Sequence, residues 1–129
     1  MDDRMRIGDL TERAGVTART VRYYESIGLI PPGEREGNGQ HYYTEQTVIR
    51  LQKIDQLKRI GLSLDEIREV IDLYFTDPTW IQPKQKILTM LRQHLAETDQ
   101  KIGELEQFRA DLKFHISRFE HWIDSQEHE

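Results

Sequence analysis

The stretch IGDLTERAGVTARTVRYYESIGLIPP, residues 7–32, sets the architecture. Ile7, Leu10 and Ala14 recur at helical spacing, and Gly15 stands where a helix ends in a left-handed residue, so the spacing predicts a helix over 7–14. Thr17 offers a hydroxyl to cap a second helix, 18–26, whose Val21 and Tyr24, with Ile27 just beyond, share one face and which Gly28 closes. Two short helices joined by Gly-Val-Thr predict a helix-turn-helix.

Working outward, PPGEREGNGQHYYT over 31–44 is dense in turn residues, and Asn38-Gly39 between short runs is a hairpin signal. Thr44 is placed to cap a helix over 45–60, with Val48, Leu51, Ile54 and Leu57 as its apolar stripe and Gly61 as its end. Ser63 and Glu66 have capping-box spacing and open a helix over 64–75. Asp77-Pro78 and Pro83 bracket what reads as a non-helical hinge, 76–83. Beyond it, 84–123 has no proline and only Gly103 as a weak point, so one helix of about 40 residues, about 60 Å, is allowed.

That helix repeats every seven residues. With Leu88 at position a, the a positions are Leu88, Leu95, Ile102, Arg109, Ile116 and Ile123, and the d positions are Leu91, Thr98, Leu105, Leu112 and Phe119; nine of the eleven are apolar. A coiled coil with a second copy covers such a seam. A helical hairpin would cover it too, but would need a stronger breaker than Gly103. The expectation is a mainly α chain: a DNA-binding head over 4–75, a hinge over 76–83 and a dimerisation helix over 84–124.

Composition narrows the function. At 129 residues there is room for one modest core, and with no cysteine there are no disulfides, thiolate nucleophiles or cysteine-ligated metals. No apolar run is long enough for a signal peptide or a membrane span, which predicts a cytoplasmic protein without a membrane partner. No Walker loop, GxGxxG or HExxH occurs, so no cofactor is implied and the chain reads as a non-enzyme. Net charge is −5, yet residues 4–59 carry ten Lys or Arg against seven Asp or Glu, and residues 76–129 carry seven against ten. The asymmetry is small and equally compatible with an ordinary solvated surface. On the second helix, Thr17, Arg19 and Thr20 occupy the N-terminal end, which in a helix-turn-helix faces base edges; Arg22 lies three residues after Arg19, followed by Tyr23.

The string at 7–32, the wing-like GNGQHYY (37–43) and LQKIDQLKRIGLSLDEIREVI (51–71) occur in the order and spacing of one family. The chain resembles the MerR family of bacterial transcription regulators over nearly its whole length. The resemblance implies a winged helix-turn-helix homodimer, joined by an antiparallel coiled coil, that binds a pseudo-palindromic promoter spacer. Such regulators distort the overlong spacer so that RNA polymerase engages both promoter elements. It also implies DNA contacts at Arg22 and Tyr23. The wing departs from the family's Gly-Tyr-Arg followed one residue later by Tyr: Gln40 stands at the tyrosine position, His41 at the arginine position, and Tyr43 at the second aromatic. An imidazole is mostly uncharged at neutral pH, so this wing is expected to hold phosphate less firmly. Arg35 is a further basic candidate, and Tyr43 reads equally as structural or phosphate-binding.

Relatives that sense soft metals do so through cysteines, which this chain lacks. His94, His115, His121 and His128 include no pair at i, i+3 or i, i+4, so no metal site is expected. The segment DLYFTDPTWIQP concentrates Tyr74, Phe75 and Trp80, either as packing or as a small-molecule effector site near the junction that other relatives use. Alternatives from other classes are a DNA-bending architectural or excisionase-type protein needing no effector, and a coiled-coil interaction module.

Overall fold

The computed structural model describes residues 4–37 and 39–128. It divides after Leu91 into two compact units.

The first unit opens with α1 (Ile7–Ala14) and α2 (Ala18–Ser26), with the predicted bounds. Gly15 takes the left-handed conformation at φ 71° and returns its N–H to the Thr11 carbonyl, which ends α1. Thr17 caps α2, its Oγ1 accepting from the Thr20 N–H at 3.0 Å. The wing follows as β1 (Glu34–Arg35) antiparallel to β2 (His41–Tyr42), pairing Glu34 with Tyr42 and Arg35 with His41. Of the expected hairpin pair, Gly39 has φ 84°, whereas Asn38 lies outside the described residues. Met5 and Tyr43 exchange both backbone hydrogen bonds at 2.8 Å, which ties the base of the wing to the segment before α1.

Next come α3 (Glu45–Arg59), α4 (Leu64–Val70) and α5 (Leu73–Thr76). Thr44 sits at the N-cap of α3 without a side-chain capping bond, contrary to expectation, while the Ser63–Glu66 capping box forms in full. The predicted helix over 64–75 is two pieces, although Ile71 and Asp72 between them keep right-handed helical backbone. The core takes Leu10 from α1, Val21 from α2, Leu51 and Ile54 from α3 and Ile67 and Val70 from α4, all essentially inaccessible. Each such aliphatic side chain stabilises the unit by about 1.5–3 kcal/mol.

The hinge is the main correction. The long helix, α6 (Ile81–Glu127), begins three residues earlier and ends later than the heptads alone suggested. Pro83 lies in its first turn, where no N–H is needed, and is buried rather than breaking the helix. Before it, Asp77 accepts from the Thr79 N–H (3.0 Å) and hydroxyl (2.7 Å) and from the Gln82 N–H (2.8 Å), and Thr79 Oγ1 accepts from the Ile81 N–H (3.2 Å). These two side chains do the work of an N-cap, and Trp80, directly before the helix, adopts a left-handed φ of 62°.

The second unit is the remainder of α6, which passes Gly103 without a break. Its seam residues face solvent in the single chain, Leu105 at 66% and Phe119 at 68%.

Candidate nucleic-acid interface

The amphipathic logic of α2 fixes its outer face. Val21 and Tyr24 enter the core, so Arg19, Arg22 and Tyr23 project outward, Tyr23 about half exposed. Among the described residues neither arginine has a carboxylate within 4 Å. Thr17 and Thr20 are at the N-terminal end, their hydroxyls 2.9 Å apart. Thr17, Arg19, Thr20, Arg22 and Tyr23 are thus brought together on one helix.

The C-terminal end of α2 is clamped by arginines that the sequence did not single out. Arg68 donates to the Ile27 carbonyl at 2.7 Å and Arg50 to the Leu29 carbonyl at 2.9 Å, while Arg50 also pairs with Asp72 at 2.7 Å. Orphan carbonyls past the helix end thereby find charged donors.

On the wing, Arg35 is exposed opposite His41. Tyr43 is buried, and its hydroxyl donates to Glu25 at 2.5 Å. Burial, and then this bond to a carboxylate, push the phenol well above its ordinary range, against the opposing pull of Arg22. Glu25 is held by this bond, which draws its charge away from the exposed face. Arg6 braces the wing, donating to the His41 carbonyl (3.1 Å) and to Glu36 (2.7 Å).

The aromatic candidates divide. Tyr74 and Trp80 meet edge to face at 5.4 Å, and the Lys53 ammonium lies over both rings at 4.6 and 4.7 Å. Burial, then the nearby Lys84, lower the Lys53 pKa. Phe75 lies apart from them, under the Arg50 guanidinium at 5.5 Å. Among the described residues no three His, Asp or Glu side chains are placed to hold a metal, and no helix is long and apolar enough to cross a membrane.

Residues 5–73 match the model of the MerR HTH family regulatory proteins, and residues 48–113 match that of the MerR DNA-binding region. The chain belongs to the MerR family. MerR-family relatives include the HTH-type transcriptional regulator HmrR of Rhizobium leguminosarum bv. viciae, 36% identical over 84% of this chain and 81% of its own length. The mercuric resistance operon regulatory protein of Bacillus cereus is 31% identical over 85% of this chain and 83% of its own. Among solved structures, the transcription regulator PbrR691 of Ralstonia metallidurans CH34 in complex with lead(II) superposes with a TM-score of 0.67 at 33% identity, covering 84% of this chain and 82% of that one. As a MerR-family member the protein is a DNA-binding transcriptional regulator with a helix-turn-helix head, and its long C-terminal helix fits the family's dimerisation helix.

Proposed function

We propose that this MerR-type regulator works in the cytoplasm as a homodimer that binds a pseudo-palindromic promoter spacer and distorts it to control RNA polymerase on the same promoter. The observation that carries the reading is the outer face of α2, where Arg19, Arg22 and Tyr23 are exposed and the arginines lack carboxylate partners among the described residues. In this reading residues 4–75 form the head, with Arg35 and His41 reaching the backbone from the wing, while Tyr43 acts from inside by fixing Glu25. Dimerisation runs through residues 84–124. Leaving Leu88, Leu95, Ile102, Leu105, Leu112, Ile116 and Phe119 in water is costly, and a second copy removes that cost. Genome-wide mapping of DNA-binding sites tests the proposal: wild type should occupy promoter spacers, and the Arg19→Ala, Arg22→Ala double variant should lose them. Occupancy that survives the double variant defeats it.

The effector in this reading is a small molecule held without thiolates near Tyr74, Phe75 and Trp80. A metal effector is the second reading, favoured by the mercuric resistance and lead(II) relatives. In this cysteine-free chain its ligands would be nitrogen and oxygen atoms. Reporter output from the mapped promoter, challenged with metal salts and with metabolite fractions in parallel, separates the two.

A further inference from the structure

The cleft between α2 and the wing is lined by Arg6, Arg22, Glu25, His41 and Tyr43, among others. His41 Nδ1 lies 2.9 Å from the Gly33 carbonyl oxygen. A carbonyl oxygen only accepts, so Nδ1 carries the hydrogen of this bond. In a neutral imidazole that leaves Nε2 as a lone pair, which repels a phosphate oxygen. The imidazolium alone has a second N–H, on Nε2, together with a positive charge. Gly33 thus disfavours the neutral tautomer that could donate from Nε2.

We propose that His41 makes DNA binding proton-linked: the cleft between α2 and the wing holds a phosphodiester at full strength only when this imidazole is protonated, so each head takes up a proton as it binds. This rests on the reading that the wing meets the DNA backbone.

The surrounding charges fit the assignment. From α2, Arg22 faces the cleft and the Glu25 carboxylate is engaged by the Tyr43 hydroxyl. From the segment before α1, Arg6 is held by the His41 carbonyl and by Glu36, which also pairs with Arg4. Across the hairpin stands Arg35. Arginines keep their charge throughout, and the elevated phenol of Tyr43 stays neutral. Among the described residues lining the cleft, His41 is the side chain of a type that changes charge between pH 5 and 8. By linkage, a bound phosphate raises the proton affinity of His41 by the factor by which the proton raises phosphate affinity.

Phosphate contacts are independent of sequence, so fluorescence anisotropy of the full chain on a mixed-sequence duplex at low salt reads them directly. Wild type, His41→Arg and His41→Gln are compared at pH 8 and pH 6, with circular dichroism confirming that all three are folded. Each phosphate contact makes affinity about threefold more sensitive to a rise in salt from about 50 to about 200 mM, so wild type should bind more tightly on acidification and lose about threefold more affinity per head over that salt range, a slope steeper by about one ion per head. His41→Arg should bind at both pH values as wild type does at pH 6, and His41→Gln as wild type does at pH 8. A wild-type pH response retained in both variants overturns the proton linkage, while tighter binding by the Arg than by the Gln variant would still uphold the wing contact. Identical binding by all three at every pH overturns the wing contact and this inference with it.

Discussion

Gly33 has no space for a methyl group. A Cβ there would lie 2.8 Å from Tyr43 Cζ, 2.9 Å from its Cε1 and 3.1 Å from the His41 Cβ, so Gly33→Ala must displace the ring that holds Glu25. Such overpacking costs about 1–3 kcal/mol, which thermal denaturation should show as a drop of several degrees in Tm. Tyr43 itself supplies a pH signature. Its phenol titrates higher in the folded head than in the unfolded chain, so the stability it supports is intact below the unfolded value, about pH 10, and is lost as pH rises through the folded value. Melting curves in alkali should therefore fall more steeply for wild type than for Tyr43→Phe, and parallel curves would refute the assignment. On α2, Arg22→Ala is expected to weaken binding to all duplexes and flatten the salt slope by about one ion per head, as a phosphate contact would. Arg19→Ala should instead change base preference by about 1–3 kcal/mol at one position of each half-site, measured by competition among mutated sites.

Which residues face outward on α2 could be read from the sequence, because the DNA-facing side is whatever the core stripe of Val21 and Tyr24 leaves over. Helices α1 to α3 were legible for the same reason, their stripes and glycine ends being local signals, and the start of α4 was legible from its capping box. The sequence pattern places the start of α6 too late because Pro83 reads as a breaker, although proline is at home in a first helical turn. The arginine clamps were not legible at all: Arg50 reaches a carbonyl 21 residues away and Arg68 one 41 residues away, and no periodicity reports which backbone oxygen a long side chain will find. At this scale Asp77 is decisive. Hydrogen bonds from the Thr79 hydroxyl and the Gln82 N–H hold its carboxyl below the usual carboxylate range. The stability it contributes is therefore present at neutral pH and is lost as pH falls from the unfolded value through the depressed folded value. Asp77→Ala should speed amide exchange over the first turn of α6 and lower Tm by a few degrees at neutral pH, with the gap to wild type closing in acid. Unchanged exchange at Ile81 and Gln82 would show that the cap is dispensable.

For the whole molecule, the two polar seam positions carry the proposed dimer. In an antiparallel pair, a faces d of the partner and facing residue numbers keep a constant sum; setting Arg109 against the partner's Thr98 makes it 207 and opposes Ile102 to Leu105. Thr98 spends its hydroxyl hydrogen on the His94 carbonyl at 2.8 Å, which leaves its oxygen free to accept from an arginine. A parallel pair in register would stack Arg109 on Arg109 in a partly dry seam. Cysteines placed together at Ile102 and Leu105 should cross-link as a 102–105 bridge between copies, whereas efficient self-linking of a single cysteine at Leu88 or Ile116 would establish the parallel arrangement. The long helix was legible because the heptads run along it; the bracing of the wing was not, because its anchors lie outside the wing's own sequence. That bracing has a practical consequence. Met5 is hydrogen-bonded into the base of the wing and Arg6 holds the wing's backbone, so a purification tag fused ahead of Arg4 would be delivered beside the proposed DNA surface, where an affinity measured with it in place would describe the tag as much as the protein.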